Sequence, residues 1–125
     1  MYISRLEGSD VSLIDESIIK QMIQDTSAEV VPMLIDHFVE ETQSRIQRIM
    51  QAASDNDKSV LEFESHTLGS ASLALGCRRL SNLARKIEHL CLDDKAAPAF
   101  ALCPELNQLT QESIQALQER QQQGF

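Results

Sequence analysis

The residues whose types and spacing are best suited to chemistry lie together between Ser59 and Leu75. On a helical wheel at about 100° per residue, Leu61, Leu68, Ala71, Ser72 and Leu75 fall within about 60° of one direction, which is the expected core. His66 points almost diametrically away and shares its face with Ser59, Glu62, Phe63, Gly69, Ser70 and Leu73. An imidazole has a neutral, nucleophilic form near pH 7, so an exposed one is a candidate acceptor for a transferable group. Gly69 inside a helix costs about 1 kcal/mol relative to Ala. With Ser70 it is expected to clear space around the ring, while Phe63 and Leu73 offer apolar contact on the same side. The face has the character of a docking patch around a nucleophile. Two plainer readings explain the same residues: a histidine that merely faces water, and a glycine that lets another helix pack closely.

Charge adds to the pattern. The 125-residue chain has 19 acidic and 11 basic side chains, a net charge of -8. Yet no acid stands between Glu64 and Glu88, a stretch that carries Arg78, Arg79, Arg85 and Lys86. Such a local basic strip favours a phosphorylated imidazole or an acidic partner surface, although solvated helix faces also look this way. The overall negative charge argues against nucleic acid as a partner. The longest nearly apolar stretch, Ala96 to Pro104, is about half the length that crosses a bilayer, and the N-terminal residues lack the pattern of a signal peptide. No membrane association and a cytoplasmic location are therefore expected.

The elements that must position this face are helices. Four Gly, three Pro, 4% aromatics and no Trp are too few turn residues and large rings for a sandwich or barrel. Ile14, Ile18 and Met22, with Ile19 and Ile23 beside them, recur at helical spacing behind a possible cap at Asp15. Thr26-Ser-Ala-Glu29 has the capping-box pattern, and Leu34, Phe38, Ile46, Ile49 and Ala53 then mark a long helix ending near Asp55-Asn56-Asp57. Pro32 requires either that the regular helix start near it or that an irregular turn precede it. Asp57 can cap the His66 helix and Gly76 can close it. Leu80, Leu83, Ala84, Ile87, Leu90 and Cys91 define a fourth helix that stops at Asp93-Asp94. Pro98 and Pro104 are expected to break an Ala-rich connection, and Leu106, Leu109, Ser113 and Leu117 to form the stripe of a last helix that frays from Gln118 on. The expectation is one all-α domain over residues 1–125: an antiparallel four-helix bundle with a short additional N-terminal helix, loose at 1–13 and 120–125.

The run His66-Thr67-Leu68-Gly69-Ser70-Ala71-Ser72-Leu73-Ala74-Leu75-Gly76, followed by Leu80, Ala84 and Glu88, resembles a histidine-containing phosphotransfer (HPt) domain. The family's pattern is approximately H-x-L-K-G-S/A-A/S-x-x-L/F-G. The chain matches the histidine, the leucine two residues on, the small residues, the Leu75-Gly76 pair and the downstream leucine. The resemblance extends from about Asp15 to Asp93 and includes Leu34, Phe38 and Glu41 upstream. Nothing fused to it is visible, so a free-standing, monomeric HPt protein is expected.

The resemblance implies that His66 accepts a phosphoryl group through Nε2 from a receiver-domain aspartate and passes it to another. The partners it implies are the receiver domains of a hybrid histidine kinase and of a response regulator. Magnesium would belong to the receiver, and this chain would hold no cofactor or metal. With no P-loop, glycine-rich nucleotide motif or kinase signature, it is expected to be a phosphocarrier without kinase activity of its own. Phe63, Gly69, Ser70 and Leu73 would form the binding face. The family usually has Lys where this chain has Gly69, and that lysine helps to hold the phosphoryl group; Arg78 or Arg79 is the expected substitute.

Two other readings compete. A di-iron or di-manganese bundle needs Glu-x-x-His pairs, but Leu34, Phe63 and Lys86 stand three residues before His37, His66 and His89. An HPt-like adaptor that binds receivers without carrying phosphate would fit a chain lacking the lysine, and burial of His66 would favour it. Glu62 and Glu64 are expected to be solvated, and Met22, Met33 and Met50 to fill the core. Cys77, Cys91 and Cys103 lack C-x-x-C spacing and are expected to be buried reduced thiols.

Overall fold

The computed structural model describes residues 12–125, so the expected looseness of residues 1–13 falls almost wholly outside the described residues. Among these, six helices follow one another: α1 (Glu16–Asp25), α2 (Val31–Ser54), α3 (Lys58–Ala74), α4 (Arg78–Leu92), α5 (Ala96–Ala101) and α6 (Cys103–Gln123). The four long ones, α2, α3, α4 and α6, form the bundle. Tight connections make chain neighbours antiparallel. Arg45 and Arg48 of α2 meet Glu64 of α3, Gly69 of α3 meets Ser81 of α4, and Gln43 of α2 meets Gln111 of α6.

The core follows from the apolar stripes. Ile35, Phe38, Ile46 and Ile49 of α2, Leu61 and Leu68 of α3, and Leu80, Ala84, Ile87 and Cys91 of α4 are buried. From α6, Leu106, Leu109 and Leu117 complete it. Thr110 and Ser113 are buried in the same stripe with hydroxyls that have no partner among the described residues, each a cost of about 1–3 kcal/mol. The α2 stripe differs from expectation at its start. Its inward residues are Val31 and Ile35, whereas Leu34 sits at the edge and Met33 is 68% exposed. Met22 and Met50 are half-buried against the core, so only Met33 departs fully from a packing role.

The helix ends obey local chemistry. Asp57 caps α3 by accepting from the Val60 N–H at 3.1 Å. Thr26 to Val30 do not form a capping box: α2 begins at Val31 with Pro32 in its first turn, where a missing N–H costs nothing. The Ala-rich connection is not broken by Pro98, which lies in the first turn of the short helix α5, and Pro104 likewise lies in the first turn of α6. The expected fraying from Gln118 onward also differs. Helix α6 runs to Gln123, Arg120 is paired with Glu16 at 2.9 Å, and its guanidinium lies 4.8 Å from the Phe125 ring centroid.

The connection between α3 and α4 is the tightest. Gly76 takes φ of +84°, and the Cys77 N–H donates back to the Ser72 carbonyl at 2.8 Å, closing α3. Against this turn lies the start of α1. The Asp15 N–H donates to the Gly76 carbonyl at 2.8 Å, and its carboxylate accepts from the Ser17 N–H and hydroxyl and from Arg78 Nε at 2.7 Å. The Ser17 hydroxyl, then Arg78, hold the Asp15 carboxyl down at about 2.

Two outcomes follow. Replacing Gly76 with Ala forces a side chain into the left-handed region and its Cβ to 3.0 Å from the Asp15 carbonyl. The variant should lose about 2 kcal/mol in urea unfolding, and an unchanged midpoint would contradict the turn geometry. Because the Asp15 carboxyl titrates below its ordinary 3.8, its stabilisation is complete above that value and is lost as pH falls toward about 2. The stability gap between wild type and Asp15→Asn should therefore narrow across that window.

Candidate functional site

Helix α3 carries His66 at mid-length on the side away from the core, and its side chain is 60% exposed. Phe63, one turn back, is 64% exposed, and Ser70 and Leu73 face solvent one and two turns on. Leu61, Leu68, Ser72 and Leu75 are buried as the wheel requires, and Ala71 is half-buried. An apolar rim around an accessible imidazole is therefore present.

The ring is held from one side. His66 Nδ1 lies 2.8 Å from Glu88 Oε2 on α4, and the Glu88 side chain is 13% exposed. A carboxylate can only accept, so Nδ1 carries the proton and donates it. Nε2 then holds the lone pair and has no hydrogen-bond partner among the described residues. The carboxylate thereby fixes both the tautomer and the direction of the ring.

Gly69 does not do what its wheel position suggested. It is buried in the seam between α3 and α4, where its carbonyl accepts from the Ser81 hydroxyl at 2.7 Å. A Cβ there would lie 3.1 Å from Arg85 Cγ. The glycine permits close packing of α4, the plainer of its two readings, and Ser70 alone keeps the outer face low. The roughly 1 kcal/mol that it costs the helix is offset by this contact.

The basic residues sort themselves by partner. Arg78 is bound to Asp15 at the α1 end, and along α4 it stands ten residues from Glu88, about 15 Å of helix axis. Arg79 is a residue nearer, at about 13.5 Å. Arg78 is thus engaged at the α1 end, and both arginines start about two to three turns of α4 away from the Glu88 that holds the ring. Arg85 is the basic side chain that lies against Gly69.

Beneath the site, Glu64 departs from its expected solvation. Its side chain is buried and accepts from Arg45 Nη1 at 2.7 Å and from Arg48 Nε at 3.0 Å. Removing Arg45, the more buried of the two arginines, would leave Glu64 with only the half-exposed Arg48 as partner. The group fixes α3 against α2 two residues before His66, while Glu88 fixes the ring against α4.

Other candidates stay apart. His37 and His89 are exposed on their own helices, and among the described residues no group of three His, Cys, Asp or Glu side chains converges as a metal site. The three cysteines are buried and unpaired. Burial pushes the Cys77 thiol up to about 12 and Cys103 to about 11, and raises Cys91. An apolar cleft of about 340 Å³ between α1, α2 and α3, lined by Met22, Leu34, Phe38, Ala71 and Ala74, does not include His66. No helix among the described residues is long and apolar enough to cross a membrane.

If Glu88 sets the tautomer, nitrogen NMR of the neutral His66 ring should report the Nδ1–H form in the wild type. In Glu88→Ala it should shift toward the Nε2–H form. An unchanged tautomer in the variant would show that the carboxylate does not set it.

The Hpt domain model matches residues 33–120, more than half the chain and the whole of the α3–α4 seam. The crystal structure of histidine-containing phosphotransfer protein B (HptB) from Pseudomonas aeruginosa PAO1 superposes with a TM-score of 0.84 at 16% identity. That match covers 92% of this chain and 99% of that one, and at this identity the likeness bears on the fold. No curated protein sequence matches. With a histidine on the outer face of a four-helix bundle and a family model spanning both helices that frame it, the chain belongs to the Hpt domain family.

Proposed function

We propose that this protein is a phosphorelay intermediate: His66 takes a phosphoryl group from the aspartyl phosphate of one receiver domain and delivers it to the aspartate of another. The observation that carries this reading is an imidazole, 60% exposed, whose Nδ1 is engaged by Glu88 and whose Nε2 is free among the described residues. Phosphoryl transfer demands positioning and charge balance more than covalent help, and a fixed ring supplies the first.

In the forward step, the Nε2 lone pair forms the N–P bond as the P–O bond to the donor aspartate breaks, returning that residue to a carboxylate. The ring gains positive charge as the bond forms. Glu88, bonded to the Nδ1 proton, stabilises that charge. The return step reverses these changes: the acceptor carboxylate attacks phosphorus, the N–P bond breaks, and the ring is left neutral. Magnesium is assigned to the acidic pocket of the receiver.

Docking is assigned to Phe63, Ser70 and Leu73. Their exposure around the ring suits a partner surface with an apolar rim and a recessed phosphoaspartate. The partners are the receivers of a hybrid kinase and a response regulator, and the reading places the carrier in the cytoplasm as a monomer. Exposure of the ring favours a carrier over an adaptor that only binds.

The test is His66→Gln. Incubated with a phosphorylated receiver, the wild type should become labelled on His66, while the variant, with its helical circular dichroism unchanged, should take no label. Persistent label on the variant would contradict the assignment. A wild type that binds the receiver but never takes label would establish the adaptor instead.

A further inference from the structure

We propose that Arg85 is the residue that grips the phosphoryl group once it is on His66, using the space that Gly69 leaves open. This inference rests on the reading of His66 as the acceptor. Three observations carry it. First, the Arg85 side chain crosses Gly69 itself: a Cβ built there would meet Arg85 Cγ at 3.1 Å and Nε at 3.6 Å. Any side chain at position 69 would compete with Arg85 for one volume. Second, Arg85 stands one turn of α4, about 4.5 Å of axis, before Glu88, and Gly69 stands one turn of α3 after His66. The antiparallel seam therefore brings the Arg85–Gly69 contact beside the His66–Glu88 contact.

Third, Arg85 is a half-buried cation without a carboxylate among the described residues. Its Nε donates to the neutral Ser81 hydroxyl at 3.4 Å. Arg45 and Arg48 share Glu64, Arg78 has Asp15, Arg120 has Glu16 and Lys58 has Asp94. A partly desolvated guanidinium with free Nη donors is suited to an incoming dianion, which it can hold through two parallel hydrogen bonds. Ser81 braces the arrangement, donating to the Gly69 carbonyl at 2.7 Å while it accepts from Arg85. The division of labour is between the two ring nitrogens: Glu88 holds the proton on Nδ1, and Arg85 holds the oxygens of the group on Nε2.

The experiment labels the purified protein with phosphoramidate, a small donor that needs no docking surface, and follows phosphohistidine decay at neutral pH after the donor is removed. Wild type, Arg85→Gln, Arg85→Lys and the double variant Gly69→Lys, Arg85→Ala, which vacates the volume the new side chain needs, are compared, with thermal unfolding of each. Losing a charge-assisted contact should shorten the phosphohistidine lifetime of Arg85→Gln about tenfold. Lysine at 85 should recover part of it, and lysine at 69 in the double variant should recover it from the other helix. An unchanged lifetime in Arg85→Gln would overturn the role of Arg85 while leaving His66 as the acceptor. If Arg85→Gln is also less stable, failure of the double variant to recover the lifetime would overturn it equally. Absence of label on wild-type His66 would overturn the acceptor reading and, with it, this one.

Discussion

The hydrogen bond between His66 Nδ1 and Glu88 joins α3 to α4 at the site, and one turn further along the same seam Gly69 leaves room for the Arg85 side chain. Ser81 bonds the Gly69 carbonyl, and the Gly76 turn returns the chain directly so that α4 runs back along α3. Each feature costs something locally: a glycine inside a helix, a left-handed turn, a polar side chain in a seam. Together they turn an otherwise freely rotating surface imidazole into one with a defined tautomer and a defined open nitrogen.

The rest of the bundle holds that seam still. The buried Glu64 group ties α3 to α2 from the opposite side, and the Asp15–Arg78 pair with the Asp15–Gly76 backbone bond anchors the far end of the turn. Helix α6, secured at its end by Arg120 and Glu16, closes the core behind both. The His66 imidazole thus sits on the middle of a long, packed helix, where the backbone is least free to fray. A carrier that must meet successive partners benefits from a rigid presentation, since the docking geometry then need not be rebuilt at each encounter.

Much of this was legible from local pattern. The stripe Leu61, Leu68, Ser72 and Leu75 points α3, and it left His66 outside because helical periodicity is intrinsic to the segment. The caps at Asp15 and Asp57 and the glycine at 76 are equally local. What the wheel could not supply is which flanks of α3 are covered by its neighbours. Gly69 and Glu64 both lie toward those flanks, and each is buried by partners far along the chain: Ser81 and Arg85 for one, Arg45 and Arg48 for the other. The contacts of Glu88 with the ring and of Arg85 with Gly69 were missed for the same reason. Their signal was faint but present, since Glu88 ends the acid-free stretch and Arg85 is one helical turn before it. Pro98 misled because a proline in a first turn reads as a break when the start of the helix has no capping side chain to announce it.

The central claim is that His66 reacts through Nε2 because Glu88 engages Nδ1. Phosphorus–nitrogen coupling measured by NMR on the phosphorylated, nitrogen-labelled protein tests it most directly. The account predicts coupling of phosphorus to Nε2 of His66 with the proton retained on Nδ1. Phosphorus found on Nδ1, or on any other residue, would contradict it.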